Sequence, residues 1–135
     1  MNVVIKVIDF AKKKMKIKKF KVWDYKEKKF DYFDLWNITV SDYKLAYENL
    51  YQFIGILDKN MKEIYEGDVV KGIYGLEGIE IMGEVNYCNN MCAYVVHWNY
   101  EISNIEYDSL EVVGNMIEDY MYDEKGELIK KLALS

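Results

Sequence analysis

Few side chains in this sequence have types and spacings that bear on chemistry. They are a Cys88-x3-Cys92 pair followed by His97, the carboxylate pairs Asp31/Asp34 and Glu77/Glu80, a glycine run at Gly72, Gly75 and Gly78, and Lys16, Lys18, Lys19 and Lys21 leading into Trp23. Two thiolates and an imidazole are soft metal ligands that an acidic neighbour would complete, but structural zinc sites show two recognisable ligand pairs and the second pair is missing here. Neither a metal nor any other cofactor is expected. His97 is the sole imidazole, and no Ser- or Cys-based constellation can be placed around it by spacing, so a partly buried structural histidine in a strand is the expected role. The carboxylate pairs read as solvated charges. The glycines lack the Lys-Ser/Thr ending and the following helix of a phosphate loop. No catalytic residue can be named, and the chain is expected not to be an enzyme.

The lysines leave a binding chemistry open. Ammonium groups at Lys16, Lys18, Lys19 and Lys21 can meet phosphates while Trp23 stacks on a base. These five residues form the candidate interaction surface. Against base reading, all 18 basic residues are Lys, so the two-pronged grip of guanidinium on guanine edges is absent. Residues 1–30 hold 11 Lys against Asp9, Asp24 and Glu27, a net +8, while residues 31–135 hold 7 Lys against 20 acids, a net −13. Such asymmetry fits an anionic partner, or attraction between halves of one molecule or between subunits. Exposed strands also carry Lys as protection against edge-to-edge pairing.

The elements that would position these groups are strands. Aromatics make up 16% of the 135 residues, and rings pack well across a pleated sheet. Val3 to Ile8 is a strand-length apolar run. Alternation resumes over Ile17 to Trp23, with Phe20 and Val22 on one face and Lys19 and Lys21 on the other. Tyr25 to Lys29 is a polar turn, Phe30 to Trp36 the returning strand, and Ser41-Asp42 a possible cap for a short helix. Gln52 to Leu57 is a strand that stops at Asp58-Lys59-Asn60, and Ile64-Tyr65 leads to the Glu66-Gly67-Asp68 turn. Further strands are expected over Val69 to Tyr74, Ile79 to Tyr87, Ala93 to Trp98 and Leu110 to Ile117. Short strands at this spacing predict a small antiparallel barrel.

The fold class is thus mainly β (β-rich α+β). An amino-terminal β-rich subdomain, residues 1–50, precedes a small barrel over 51–118 and an acidic tail over 119–135 with a short helix or peripheral strand, together one compact unit. No secretory leader or membrane-length apolar stretch is visible, and the two cysteines do not suggest a disulfide scaffold, so a cytoplasmic location and no membrane partner are expected.

Three segments, in order, carry a family likeness: Lys19-Phe20-Lys21-Val22-Trp23-Asp24, the long run from Gln52 to Val70, and Leu110 to Glu118. Together they resemble the YopX family of phage and prophage proteins. The resemblance implies a β-rich fold with a barrel in the carboxy-terminal half, encoded by a phage or prophage, and brings no catalytic residues with it. Its turn signature falls on Gly55, Asp58, Asn60, Gly67, Asp68 and Gly114, residues that read as serving backbone geometry. Met61 stands at a turn position where the family usually has Gly. The strand grammar around Gly67-Asp68-Val69-Val70 and Gly83-Glu84-Val85 looks like that of SH3-like barrels, which supplies a class of surface and not a ligand. The leading expectation is a non-enzymatic phage accessory protein that interacts through its sheets, as a homo-oligomer and with a phage or host protein. A nucleic-acid-binding module using the Lys-rich region is the alternative.

Overall fold

The computed structural model describes residues 19–34 and 50–132. The chain divides into two compact units, Met1–Gly55 and Ile56–Ser135. Among the described residues there is no α-helix and no helix long and apolar enough to cross a membrane. The architecture is β-rich, as the aromatic and β-branched composition predicts.

In the first unit β1 (Lys19–Asp24) is flanked by β2 (Lys29–Asp34) and by β3 (Leu50–Leu57), both antiparallel to it. The β1–β2 turn is tied by the Asp24 carboxylate, which accepts the Lys26 and Glu27 backbone N–H groups at 2.9 and 3.0 Å. Cross-strand partners on each face are aromatic. Phe20 stacks on Phe33 at 5.4 Å, and Trp23 meets Phe30 edge-on at 4.8 Å. Each such pair adds about 0.5–1.5 kcal/mol beyond its buried area. The expected strand at Val3 to Ile8 and the helix cap at Ser41-Asp42 lie outside the described residues.

The second unit holds β4 (Glu63–Tyr65), β5 (Asp68–Tyr74), β6 (Ile79–Cys88), β7 (Ala93–Val96), β8 (Tyr100–Glu101), β9 (Glu111–Asn115), β10 (Tyr120–Tyr122) and β11 (Leu128–Lys130). Five of them form a curled, half-barrel antiparallel sheet in the order β8-β7-β6-β5-β9. β5 to β8 are a meander. The chain then returns through two 3-10 turns, Ile102–Asn104 and Tyr107–Ser109, so that β9 lies against β5. Ser109 fixes this return: its hydroxyl donates to the Glu106 carbonyl at 2.7 Å and accepts the Ile73 N–H at 2.9 Å. β9 carries one extra residue, Val113, opposite the Val69–Val70 step of β5, a bulge that bends β9 where the two strands pair.

The core is made by Ile64, Val69, Val70, Val85, Val95 and Val96, each no more than 2% exposed. Burial alternates along β6 at Ile81, Gly83 and Val85 as a one-sided strand requires. One expectation is corrected. The strand read over Ala93 to Trp98 ends at Val96, because His97 and Trp98 take left-handed φ values of 52° and 74° and turn the chain into β8. The carboxy-terminal segment forms the β10–β11 hairpin, and Tyr120, only 5% exposed, is part of the core.

Candidate interaction site

Lys19, Lys21 and Trp23 alternate on one face of β1, but that face is built inward as well as outward. Lys21 is 5% exposed, and its ammonium lies 4.3 Å from the centroid of the Phe30 ring. Lys19 sits 5.7 Å over Phe53, and Phe30 also meets Tyr51 edge-on at 6.2 Å. Cation–π contacts of this kind stabilise by about 0.5–2 kcal/mol, the upper end when the ammonium is desolvated. The structure therefore engages both lysines with rings of the same sheet. Lys16 and Lys18 lie outside the described residues.

All of the turn signature but Gly55 lies in the second unit, where two of its members are buried carboxylates. Asp58, 1% exposed, accepts the Asn60 and Lys62 N–H groups on one oxygen at 2.8 and 2.9 Å, and the Val112 N–H on the other at 2.9 Å. One side chain thus ties a local turn to β9. Burial disfavours its charge, yet the Val112, Lys62 and Asn60 amides, helped by the Lys62 ammonium, outweigh that and hold the carboxyl below its usual range. Asp68, 3% exposed, accepts the Tyr65 N–H at 2.9 Å. Between Glu66 and Asp68, Gly67 takes φ 84°, its N–H donates to the Val85 carbonyl, and its own carbonyl accepts from Met116. A side chain there would be strained. Gly55 also has positive φ, and Gly114 lies against the Tyr120 ring.

The residues singled out for metal chemistry are not assembled. Cys88 ends β6 and Cys92 lies in the following turn, both as free thiols, while His97 stands beyond the other end of β7. No group of three such ligands occurs among the described residues.

His97 belongs instead to a displayed aromatic platform that its expected place in a strand concealed. The Asn99 N–H donates to the His97 carbonyl at 3.0 Å, closing a three-residue turn centred on Trp98. The positive φ at Trp98 places it in the rare, strained form of that turn. Gly83 makes room for it, since a Cβ there would come within 2.6 Å of the His97 Cβ. The indole, 60% exposed, stacks on Tyr122 at 5.9 Å. Tyr122 is held in turn by a 2.7 Å hydrogen bond donated to Glu84. Burial, and then that bond and the Glu84 charge, raise the phenol's pKa well above its ordinary value. The sequence signal was present as a His-Trp-Asn triplet closing the apolar run from Ala93 to Val96. It lacks the Gly that normally announces a tight turn.

Compared with models of known families, residues 6–120 match the one described as YopX protein. No curated protein matches the chain.

Proposed function

The chain belongs to the YopX family, and on that footing we propose that it is a non-enzymatic interaction module of phage or prophage origin, acting as a homo-oligomer through the Trp98–Tyr122 platform. One observation carries the reading. A bulky residue in the left-handed region is a genuine outlier, costing on the order of 1–3 kcal/mol, and such strain concentrates where a side chain must be presented. Here it presents an indole that is 60% exposed, and a tyrosine held by Glu84 braces its other face. Trp and Tyr are also the residues that most often anchor interfaces.

The strand order supports an SH3-like barrel: a four-strand meander, 3-10 turns, and a last strand returning to the first. Barrels of this kind offer loops and sheet edges to partners. The test is sedimentation velocity over a concentration series, comparing the natural chain with Trp98→Ala. Association that weakens at least about tenfold in the variant is the expected result, as for loss of an interface anchor. A natural chain that stays monomeric throughout would reject the oligomer.

The nucleic-acid reading would use Lys16, Lys18, Lys19, Lys21 and Trp23. The burial of Lys21 over Phe30 disfavours that residue as a phosphate contact. Titration of labelled single-stranded and duplex DNA at low salt tests the remainder.

A further inference from the structure

We infer that the β6–β7 end of the second unit binds a primary alkylammonium, the side chain of a lysine on a protein partner, between Tyr87, Tyr94 and the Glu66 carboxylate. Tyr87 and Tyr94 are direct cross-strand partners, two register positions beyond the core pair Val85 and Val96. Tyr87 continues the core-facing alternation of β6 through Ile81, Gly83 and Val85 to a position that is exposed, and its partner Tyr94 is half-buried. Their rings meet at 5.2 Å and 78°, so one ring presents its face where the other presents its edge. Tyr87 is 47% exposed. The pair is an apolar corner open to solvent.

Glu66 lies in the β4–β5 turn, and its charge acts on Tyr94. The Gly67 N–H bond to the Val85 carbonyl, 2.9 Å, fixes this turn against β6 two residues before Tyr87. The Glu66 side chain is half-buried, and its carboxylate has no hydrogen-bond or ion-pair partner among the described residues. Burial alone raises its pKa. At Tyr94, burial and then the Glu66 charge raise the phenol's pKa, so the negative charge acts on the tyrosine pair.

A half-desolvated carboxylate without a partner is an unfavourable arrangement that a cation relieves. The negative faces of aromatic rings attract the same cation. A lysine side chain satisfies both demands, laying its methylenes on the rings and placing its ammonium at the carboxylate. A neutral group offers the ring faces no positive charge, and an anionic one is repelled by the carboxylate. This corner lies at the other end of β7 from Trp98, so it stands independently of the platform.

The experiment is an NMR titration of the full chain, carboxyl-labelled at Glu, with an acetylated, amidated Gly-Lys-Gly peptide. Its Nε-acetyl-lysine counterpart serves as the uncharged control. Saturable shifts at the Tyr87 and Tyr94 rings and at the Glu66 carboxyl are expected. Binding should weaken by at least about tenfold for the acetylated peptide and for Glu66→Gln. Should Glu66→Gln fail to fold, Tyr94→Leu is expected to lose binding in the same way. Equal binding of the two peptides, full retention of binding in these variants, or no ring shifts up to about 50 mM peptide would overturn the assignment.

Discussion

Asp58 joins the local turn that follows it to β9, because two oxygens serve three backbone amides and one of those amides is 54 residues away. Asp58→Ala should cost roughly 3 kcal/mol, since hydrogen bonds to a charged group are strong and the Val112 N–H is left without its acceptor. Urea denaturation checks it as a lower midpoint with an unchanged slope. The same carboxyl sets a pH dependence. Its folded pKa lies below the unfolded value of 3.8, so its contribution is complete above about pH 4–5 and is lost as pH falls through the folded pKa. Asp58→Asn should flatten the acid limb of the stability profile. Glu66 has the opposite sign: with its folded pKa raised, it favours folding most below its unfolded pKa, and that benefit is lost as pH rises through the folded one. Glu66→Gln is therefore expected to be at least as stable as the natural chain at neutral pH. Met61 illustrates a local rule broken: its φ is 65° and its side chain is 70% exposed. Met61→Gly should stabilise by about 0.5–1 kcal/mol, because glycine adopts that conformation freely and little packing is lost.

At the level of elements, the β7–β8 connection balances strain against display. Gly83 on β6 faces the His97 backbone, with His97 N 2.9 Å and its Cβ 2.6 Å from where an alanine methyl would stand. Gly83→Ala should destabilise by roughly 1–3 kcal/mol, since backbone cannot give way as a flexible side-chain end would. The double variant His97→Asn/Trp98→Gly places residues that tolerate positive φ in the turn. It is expected to raise the melting temperature while lowering self-association, a separation that thermal melts and sedimentation read together. A turn shaped only for stability would not lose association. In the first unit, the same physics uses lysine as packing material: the Lys21 stem and ammonium fill a site over Phe30 that an apolar side chain would otherwise occupy.

At the scale of the whole molecule, charge is distributed so that copies can attract one another: net +8 over residues 1–30 and −13 over residues 31–135. If association draws on this asymmetry as well as on Trp98, it weakens as the Debye length shrinks from about 10 Å at 0.1 M to about 3 Å at 1 M salt. Light scattering over that salt range should show the weight-average mass falling. A mass that holds constant or rises would assign the contact to apolar surface alone.

The sequence by itself determined the strand-rich class, the family resemblance, and the turns at Asp58 and Gly67, because these are written in local signals: alternation, aromatic content, and residues suited to tight backbone. It also placed β5 and β6 within a residue or two of their observed ends. Tertiary structure alone decided that Lys21 is buried, that Asp58 reaches Val112, that Tyr120 joins the core, and that Trp98 stands out from a turn. Each depends on packing between strands and not on the residue's own local pattern. Alternation tells which residues share a face, but not what covers that face, and a strained φ is held by surrounding packing that no local pattern records.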